Sequence, residues 1–286
     1  MEFRSDARPS PIAGTWYLGD PVKLARQIDS FLDAARLSDD DLTGSIIGLL
    51  APHAGHRFSG RTAAYSYKAI QGKPRKLAVI LSPFHPYFPG ELITTAHSAY
   101  QTPLGNIPIA KEELQTLEGL LKKQGLALTQ IPGDEEHSLE IQLPFLQRAW
   151  KVDFELLPLM VRSQDPQSLN RLAESLYQVI NGKDFLLVAS SDLSHFYPLE
   201  IAEAMDTEML RRVKSFDPLS ILSAEADGSA SACGAGAVAT MLWASRLAGA
   251  DKVQILNYST SADATGDPSS VVGYGSAAVI TTTFKK

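Results

Sequence analysis

Apolar residues recur every three or four positions in several long stretches of the chain. The clearest stretch spans residues 166–181, where the apolar side chains form one stripe and Gly182 ends the pattern. The same spacing predicts further helices over residues 21–37, 60–70, 111–124, 138–149, 199–214, 217–225 and 236–248. We expect Ser59 to cap the helix at 60–70 and Ser138 to cap the helix at 138–149, which Pro144 must bend or restart.

Short apolar runs alternate with these helices and stop at proline, glycine or serine. They predict strands over residues 45–50, 76–81, 154–161, 184–189, 253–259 and 271–283, with residues 91–109 irregular or β. Strands separated by crossover helices pair in parallel. The predicted fold class is therefore α/β, a single domain over residues 1–286 with a central, mostly parallel or mixed β-sheet flanked by helices. Residues 1–20 are expected to form an extended N-terminal arm.

The charge and composition of the chain argue against some classes of binding partner. The formal net charge of -6 is spread along 286 residues without a basic block, which argues against nucleic acid and anionic membrane as primary partners. No apolar run reaches the roughly 18 residues of a membrane span, and the first residues lack the apolar centre of a signal peptide. We therefore expect a cytoplasmic protein whose only cysteine is a free thiol.

Three potential metal ligands stand at the ends of predicted elements. His53 and His85 each follow a predicted strand, and Cys233 precedes the helix at 236–248, whose unpaired amides favour a thiolate. Two imidazoles and one thiolate form a plausible metal site, although their wide separation carries no local spacing signature. The alternatives stay open at this point: each histidine as a hydrogen-bonded turn residue, and Cys233 as a small buried apolar group.

Two further stretches supply candidate acid, base and cleft residues. Asp192 and His195 lie just beyond the strand at 184–189, where one helical turn would bring both side chains to the same side for general acid–base chemistry. Glu136 and His137 lie in an acidic loop that either faces a cleft or is simply solvated. Arg57 is a candidate for binding an anionic substrate, and the alternative is an ordinary surface arginine.

The glycines that follow Cys233 match a dinucleotide-binding pattern but not its context. Residues 226–232 do not read as a strand, and no acidic residue ends a second strand at the right distance. We therefore interpret Gly234 and Gly236 as residues that allow helix entry and close packing, and we do not expect a nicotinamide or flavin cofactor.

Several of these motifs together resemble the Memo family, whose prokaryotic members are called AmmeMemoRadiSam system protein B. The resemblance rests on Pro52-His53-Ala54-Gly55, Ser82-Pro83-Phe84-His85, Thr102-Pro103-Leu104-Gly105, Glu136-His137-Ser138-Leu139-Glu140, Ser190-Ser191-Asp192-Leu193-Ser194-His195, Cys233-Gly234 and Val272-Gly273-Tyr274. That family is similar in fold to the LigB-like class III extradiol dioxygenases, which use non-haem Fe(II).

The resemblance implies roles for individual residues. His53, His85 and Cys233 would be the metal ligands, and Asp192 and His195 the cleft residues beside them. A thiolate replaces the carboxylate ligand of the dioxygenases, so Fe(II) is the expected metal with Cu or Zn as alternatives. The sequence departs from the family pattern at His56, where an aromatic residue commonly stands, and His56 adds a titrating group to the cleft. A radical-SAM protein and an AMMECR1-like protein are the partners that the resemblance implies.

Three functional hypotheses follow. The first is a metal-dependent redox enzyme of the dioxygenase-like class, in which His195 moves protons and Asp192 orients it or the substrate. The second is a binding or adaptor protein that holds an anionic or peptide ligand in the same cleft without turnover. The third is hydrolysis by a Cys233 nucleophile with His195 as base and Asp192 as orienter, which leaves both metal-candidate histidines unexplained.

Overall fold

The structure is a computed structural model that describes residues 1–4, 6–38 and 42–282. Residue 5 of the predicted arm and residue 283 of the predicted strand 271–283 lie outside the described residues. The described helices are α1 (Pro21–Ala34), α2 (His56–Ala69), α3 (Lys111–Lys123), α4 (His137–Glu140), α5 (Leu143–Trp150), α6 (Pro166–Ile180), α7 (Leu199–Lys214), α8 (Pro218–Asp227), α9 (Ala235–Leu247) and α10 (Ala262–Thr265).

Strands fall between the helices in the predicted α/β order. They are β1 (Ala7–Arg8), β2 (Ser45–Ala51), β3 (Leu77–Ser82), β4 (Leu92–Thr95), β5 (Ala99–Thr102), β6 (Gly105–Pro108), β7 (Leu128–Ile131), β8 (Glu155–Val161), β9 (Phe185–Ser190), β10 (His195–Tyr197), β11 (Lys252–Thr260) and β12 (Val271–Thr281). Strands β1, β5 and β6 form a separate small sheet.

The large sheet runs in the order β10-β12-β2-β9-β3-β8-β4-β7, and β11 pairs with β12. Strands β2, β9, β3 and β8 are parallel, because crossover helices return the chain to the same edge, while β12 and β4 run antiparallel to their neighbours β2 and β8. The mixed sheet with helices packed against it confirms the predicted single-domain α/β fold class.

Helix ends differ from the sequence predictions at two serines. Ser59 lies inside the first turn of α2 and donates to the Ala54 carbonyl, so it is not the cap of that helix. The side chain of Glu136 caps α4 by accepting the Ser138 N–H, which corrects the assignment of Ser138 as the cap. Pro144 lies in the first turn of the separate helix α5, as a restarted helix requires.

The parallel strands supply the centre of the core. Strand β3 is buried along its whole length, and α6 presents its apolar stripe to the same core. Strands buried on both faces carry continuous apolar runs, which is why these segments lack polar alternation. Among the described residues, no helix is both long and apolar enough to cross a membrane.

Candidate functional site

The parallel strands β2, β9 and β3 are neighbours, so the residues after them meet at one edge of the sheet. His53 follows β2, His85 follows β3 and Asp192 follows β9. Together with His137 and His195, these side chains line a cleft of about 910 Å³. The strand-end positions inferred from sequence therefore do converge on one cavity.

His53 is positioned by contacts with Ser190, Cys233 and Asp192. Its ring Nδ1 lies 3.0 Å from the Ser190 hydroxyl, and its Nε2 lies 3.1 Å from the Cys233 sulfur. Its main-chain N–H donates to Oδ1 of Asp192 at 2.6 Å. Burial lowers the pKa of His53 well below its usual value, with the nearby His137 and His85 adding to the effect. The ring is therefore neutral at pH 7 and keeps one lone pair.

His85 is oriented by the carboxylate of Glu136. Its Nδ1 lies 3.0 and 3.1 Å from the two carboxylate oxygens, and its main-chain N–H donates to the same carboxylate at 2.7 Å. Burial alone would lower the pKa of His85, but the hydrogen bond and charge of Glu136 raise it. Burial would likewise raise the pKa of Glu136, yet the interactions with His85 hold it well below the usual range. The Nε2 atom of His85 is left for a ligand.

His137 joins the two metal-candidate histidines. One ring nitrogen of each of His53, His85 and His137 lies within 4.8 Å of the others. The His137 ring stacks on His85 with centroids 4.8 Å apart, and its centroid lies 4.0 Å from that of Trp16. Burial lowers the pKa of His137 to about 4. The sequence assigned His137 to the cleft, and the structure groups it with His53 and His85, whereas the Cys233 sulfur contacts His53 and is not part of the cleft lining.

Cys233 sits two residues before α9, beside the end of β9. Gly234 makes this possible, because a Cβ at that position would lie 2.5 Å from the Ser190 carbonyl oxygen. A Cβ at Gly236 would lie 2.5 Å from the Ser163 carbonyl, so the close-packing interpretation of both glycines is confirmed. Burial, followed by the charge of Asp192, raises the pKa of the Cys233 thiol. Without a metal the sulfur is therefore a thiol at neutral pH.

Asp192 and His195 both line the cleft, but not through a helical turn. Residues 191–194 form a loop that leads into β10, and Asp192 Oδ1 accepts the main-chain N–H groups of His53 and Ala54. Burial raises the pKa of Asp192 to about 7, although these two hydrogen bonds oppose the shift. Burial also lowers the pKa of His195. The two groups therefore share one cavity, with the pKa of Asp192 raised and the pKa of His195 lowered.

The remaining predicted cleft residues, His56 and Arg57, form part of the wall. His56 is buried, its Nε2 lies 3.4 Å from the Ile141 carbonyl, and burial lowers its pKa to about 4. The Arg57 guanidinium lies 4.1 Å from the centre of the Phe58 ring. Trp16 and Phe196 complete an apolar rim, and Phe196 is 74% exposed with a left-handed φ of 64°.

The N-terminal arm supplies a residue that sequence reasoning missed. Arg8 is fully buried, and its guanidinium donates to Asp134 at 2.6 and 2.9 Å and to Glu140 at 2.6 Å. It also donates to the Glu136 carbonyl at 2.8 Å, which fixes the loop that orients His85. The partners lie 126 to 132 residues away in sequence, so no local signal reveals the cluster.

Most of the chain is similar to known proteins of one family. A family model described as Memo-like protein matches residues 8–278. A MEMO1 family protein of Nitrosopumilus maritimus is 32% identical over 270 residues, which cover 94% of this chain and 98% of that protein. A MEMO1 family protein of Methanothermobacter thermautotrophicus is 33% identical over 276 residues, covering 93% of this chain and 98% of that protein.

A solved structure resembles the fold at low identity. An uncharacterized protein of Escherichia coli K12 aligns with a TM-score of 0.53 and 15% identity, covering 82% of this chain and 99% of that one. At this identity the likeness supports a related fold alone.

Proposed function

Because this chain belongs to the Memo-like protein family, we propose that it is a metal-dependent redox protein whose cleft holds a metal ion through His53, His85 and Cys233. One observation carries the proposal: His53 and His85 each place Nδ1 against a buried oxygen atom and leave Nε2 for a ligand. Metal-bound histidines in proteins are oriented in this way.

The donor set fits a transition metal. The ring centroids of His53 and His85 are 5.4 Å apart, and the Cys233 sulfur lies 3.1 Å from His53 Nε2. Imidazole binds iron, copper and zinc, and a thiolate favours these metals over magnesium or calcium. We infer Fe(II) as the metal, with Cu or Zn as alternatives, because two histidines with one anionic ligand leave positions open for substrate.

The third ligand is proposed to be Cys233 rather than His137. The Cys233 sulfur lies 3.1 Å from Nε2 of His53 and would supply the anionic ligand, whereas the ring of His137 stacks on His85 and Trp16. His137 is then a cleft residue that shapes the open side of the centre. Binding of a metal would convert the Cys233 thiol to a thiolate, since metal ligands must be deprotonated.

The residues around the centre are suited to moving protons. The bound metal would supply Lewis acidity and an electron-transfer partner. Asp192, with a pKa of about 7, exchanges a proton near neutral pH, and His195 offers a neutral imidazole in the same cleft. The rim of Trp16 and Phe196 would cover an apolar part of the substrate and exclude water.

Metal content after anaerobic purification without a histidine tag tests this function. Near-stoichiometric Fe, Cu or Zn in the wild type, lost in His53→Ala and in Cys233→Ser but kept in His137→Ala, supports the proposed ligand set. His97→Ala is the matched control, because His97 is a buried histidine paired with Asp6 outside the cleft lining. A wild type that cannot be loaded with any of the three metals contradicts the proposal.

A ligand-binding protein without turnover is the second candidate function. The observation that favours it is Arg57, an exposed cation on the cleft wall whose described contact is the Phe58 ring. A guanidinium at this position would bind an anionic group of a ligand. Inorganic phosphate that binds equally well after chelation of metals, and less tightly in Arg57→Ala, would favour this candidate over the redox protein.

A further inference from the structure

Two main-chain carbonyl groups next to His53 determine which side chains donate and which accept in a series of buried hydrogen bonds. A carbonyl oxygen only accepts hydrogen bonds, so the side-chain atom facing it must donate. The Pro52 carbonyl lies 3.0 Å from Gln142 Nε2, and the Ser138 carbonyl lies 2.6 Å from the Ser190 hydroxyl. The Gln142 amide therefore presents its NH₂ group to Pro52, and the single proton of Ser190 points to Ser138.

The other hydrogen bonds of the series agree with these donor and acceptor roles. With the amide in this orientation, the Tyr67 hydroxyl donates to Gln142 Oε1 at 2.7 Å. The Gln142 NH₂ group donates to the Ser190 oxygen at 2.7 Å. Ser190 has no proton left for His53, so the contact of 3.0 Å between its oxygen and Nδ1 requires a proton on Nδ1. Neutral His53 then carries its lone pair on Nε2.

We propose that Tyr67, Gln142 and Ser190 form a positioning relay that sets the tautomer of His53 and directs its Nε2 lone pair at the metal position. The inference rests on the proposed metal site. None of the three side chains lines the described cleft, so they act through His53 and not on a substrate. Tyr67 lies in α2, Gln142 directly precedes α5 and Ser190 ends β9. The hydrogen bonds of the relay therefore connect three elements to Nδ1 of His53.

The side chains of the relay are buried, which strengthens the preference for one tautomer of His53. Tyr67 and Ser190 are fully buried, and Gln142 and His53 are 1% and 2% exposed. A polar group without a partner in such surroundings has no water to replace the lost hydrogen bond, so the opposite tautomer is disfavoured. The ring therefore does not need to reorganise its proton when a metal ion arrives.

Nitrogen-15 NMR of histidine-labelled, metal-free protein tests the relay directly. The His53 signals are assigned by their loss in His53→Gln, and we expect a protonated Nδ1 and an unprotonated Nε2 in the wild type. Ser190→Ala removes the acceptor and should shift the ring towards the other tautomer, while Ser190→Thr keeps the hydroxyl and the wild-type tautomer. Tyr67→Phe keeps the hydrogen bonds from Gln142 to the Pro52 carbonyl and from Ser190 to the Ser138 carbonyl. It should therefore shift the His53 tautomer less than Ser190→Ala does.

Ser66→Ala is the matched control, since Ser66 is equally buried and its hydroxyl donates to the Leu50 carbonyl rather than to a side chain of the relay. Metal affinity, measured by chelator competition, should fall about tenfold to a hundredfold in Ser190→Ala and stay near wild type in Ser66→Ala. An unprotonated Nδ1 in the wild type overturns the relay, as does a Ser190→Ala variant with unchanged tautomer and affinity. The expected tautomers in a wild type that binds no metal support the relay and reject the proposed function.

Discussion

The sulfur of Cys233 and Nε2 of His53 are 3.1 Å apart, which makes the only thiol of the chain a hydrogen-bond partner of a metal-candidate histidine. With the proton of His53 on Nδ1, the thiol must be the donor. A protonated, half-buried sulfur is a poor nucleophile. This relationship argues against the hydrolase hypothesis, because the histidine beside Cys233 is His53 rather than His195.

The reactivity of Cys233 is the first prediction. We expect iodoacetamide to alkylate metal-free protein at pH 7.5 at least about tenfold more slowly than N-acetylcysteine, because the thiol pKa is raised. Alkylation is followed by mass spectrometry, and the urea-unfolded protein should react at the rate of the free thiol. A folded protein that reacts as fast as N-acetylcysteine would show that the sulfur is accessible and that its pKa is not raised.

The second prediction concerns the carboxylate that orients His85. Glu136→Gln removes the charge facing His85 Nδ1, so metal affinity measured by chelator competition should fall about tenfold to a hundredfold. Glu135→Gln is the matched control, since this neighbouring side chain is exposed and should leave the affinity unchanged. Equal affinities of the two variants would remove Glu136 from the metal site.

The third prediction concerns the buried cation of the N-terminal arm. Arg8→Met leaves the carboxylates of Asp134 and Glu140 buried without their partner, so the free energy of unfolding should fall by about 3–5 kcal/mol. Urea denaturation measures it. Arg4→Met breaks an exposed ion pair with Asp6 and should leave the free energy of unfolding close to the wild-type value. Similar small losses in both variants would mean that water reaches the Arg8 cluster.

The fourth prediction uses the lowered pKa of His56. Folded His56 binds its proton with a pKa of about 4, against 6.5 for the unfolded chain. Unfolding therefore takes up a proton in this window, so acid destabilises the protein between pH 6.5 and 4, and the group has no effect above pH 7. His56→Phe has no histidine to protonate at this position and therefore escapes this destabilisation. Between pH 7 and pH 4, wild type should lose about 3 kcal/mol more of its free energy of unfolding than this variant.

Denaturation curves at half-unit steps of pH check this expectation. Other titrating groups, including His137, are present in both proteins and cancel in the difference. Phe fits the site because the His56 ring already lies 4.9 Å from Phe145 and 5.4 Å from Tyr17. A difference between the two proteins that does not vary with pH would mean that His56 is solvated in the folded state.

The sequence predicted the sheet edge but not the contacts that connect its residues. Apolar runs that end at Pro52 and Ser82 are local signals, so the positions of His53 and His85 after parallel strands followed from them. Cys233 was a candidate because it is the only cysteine and precedes a predicted helix, and the family resemblance then implied the same ligand role. The predicted cap Ser138 is wrong, because serine and acidic residues both occur at helix starts and only the backbone geometry shows that Glu136 caps α4.

Contacts between distant segments explain what the sequence did not predict. The Arg8 cluster and the relay through Gln142 each join residues that lie far apart in the chain, and neither carries a spacing pattern. The backbone of Phe196 was also not predictable from the sequence. Bulky residues rarely adopt a positive φ, so residue propensities do not predict this conformation beside His195. Both cases depend on tertiary packing that overrides local preference.

Strand β12 is the last described strand in chain order, yet it lies inside the large sheet between β10 and β2 rather than at an edge. During translation, at roughly 5–20 residues per second, His53 and His85 leave the ribosome many seconds before this strand and several seconds before Cys233. Until β12 inserts, β2 lacks its antiparallel neighbour and the cleft lacks Val272 and Tyr274 from its wall. The wall of the cleft is therefore complete only once β12 has paired with β2, so an ordered cleft would report the insertion of this strand into the sheet.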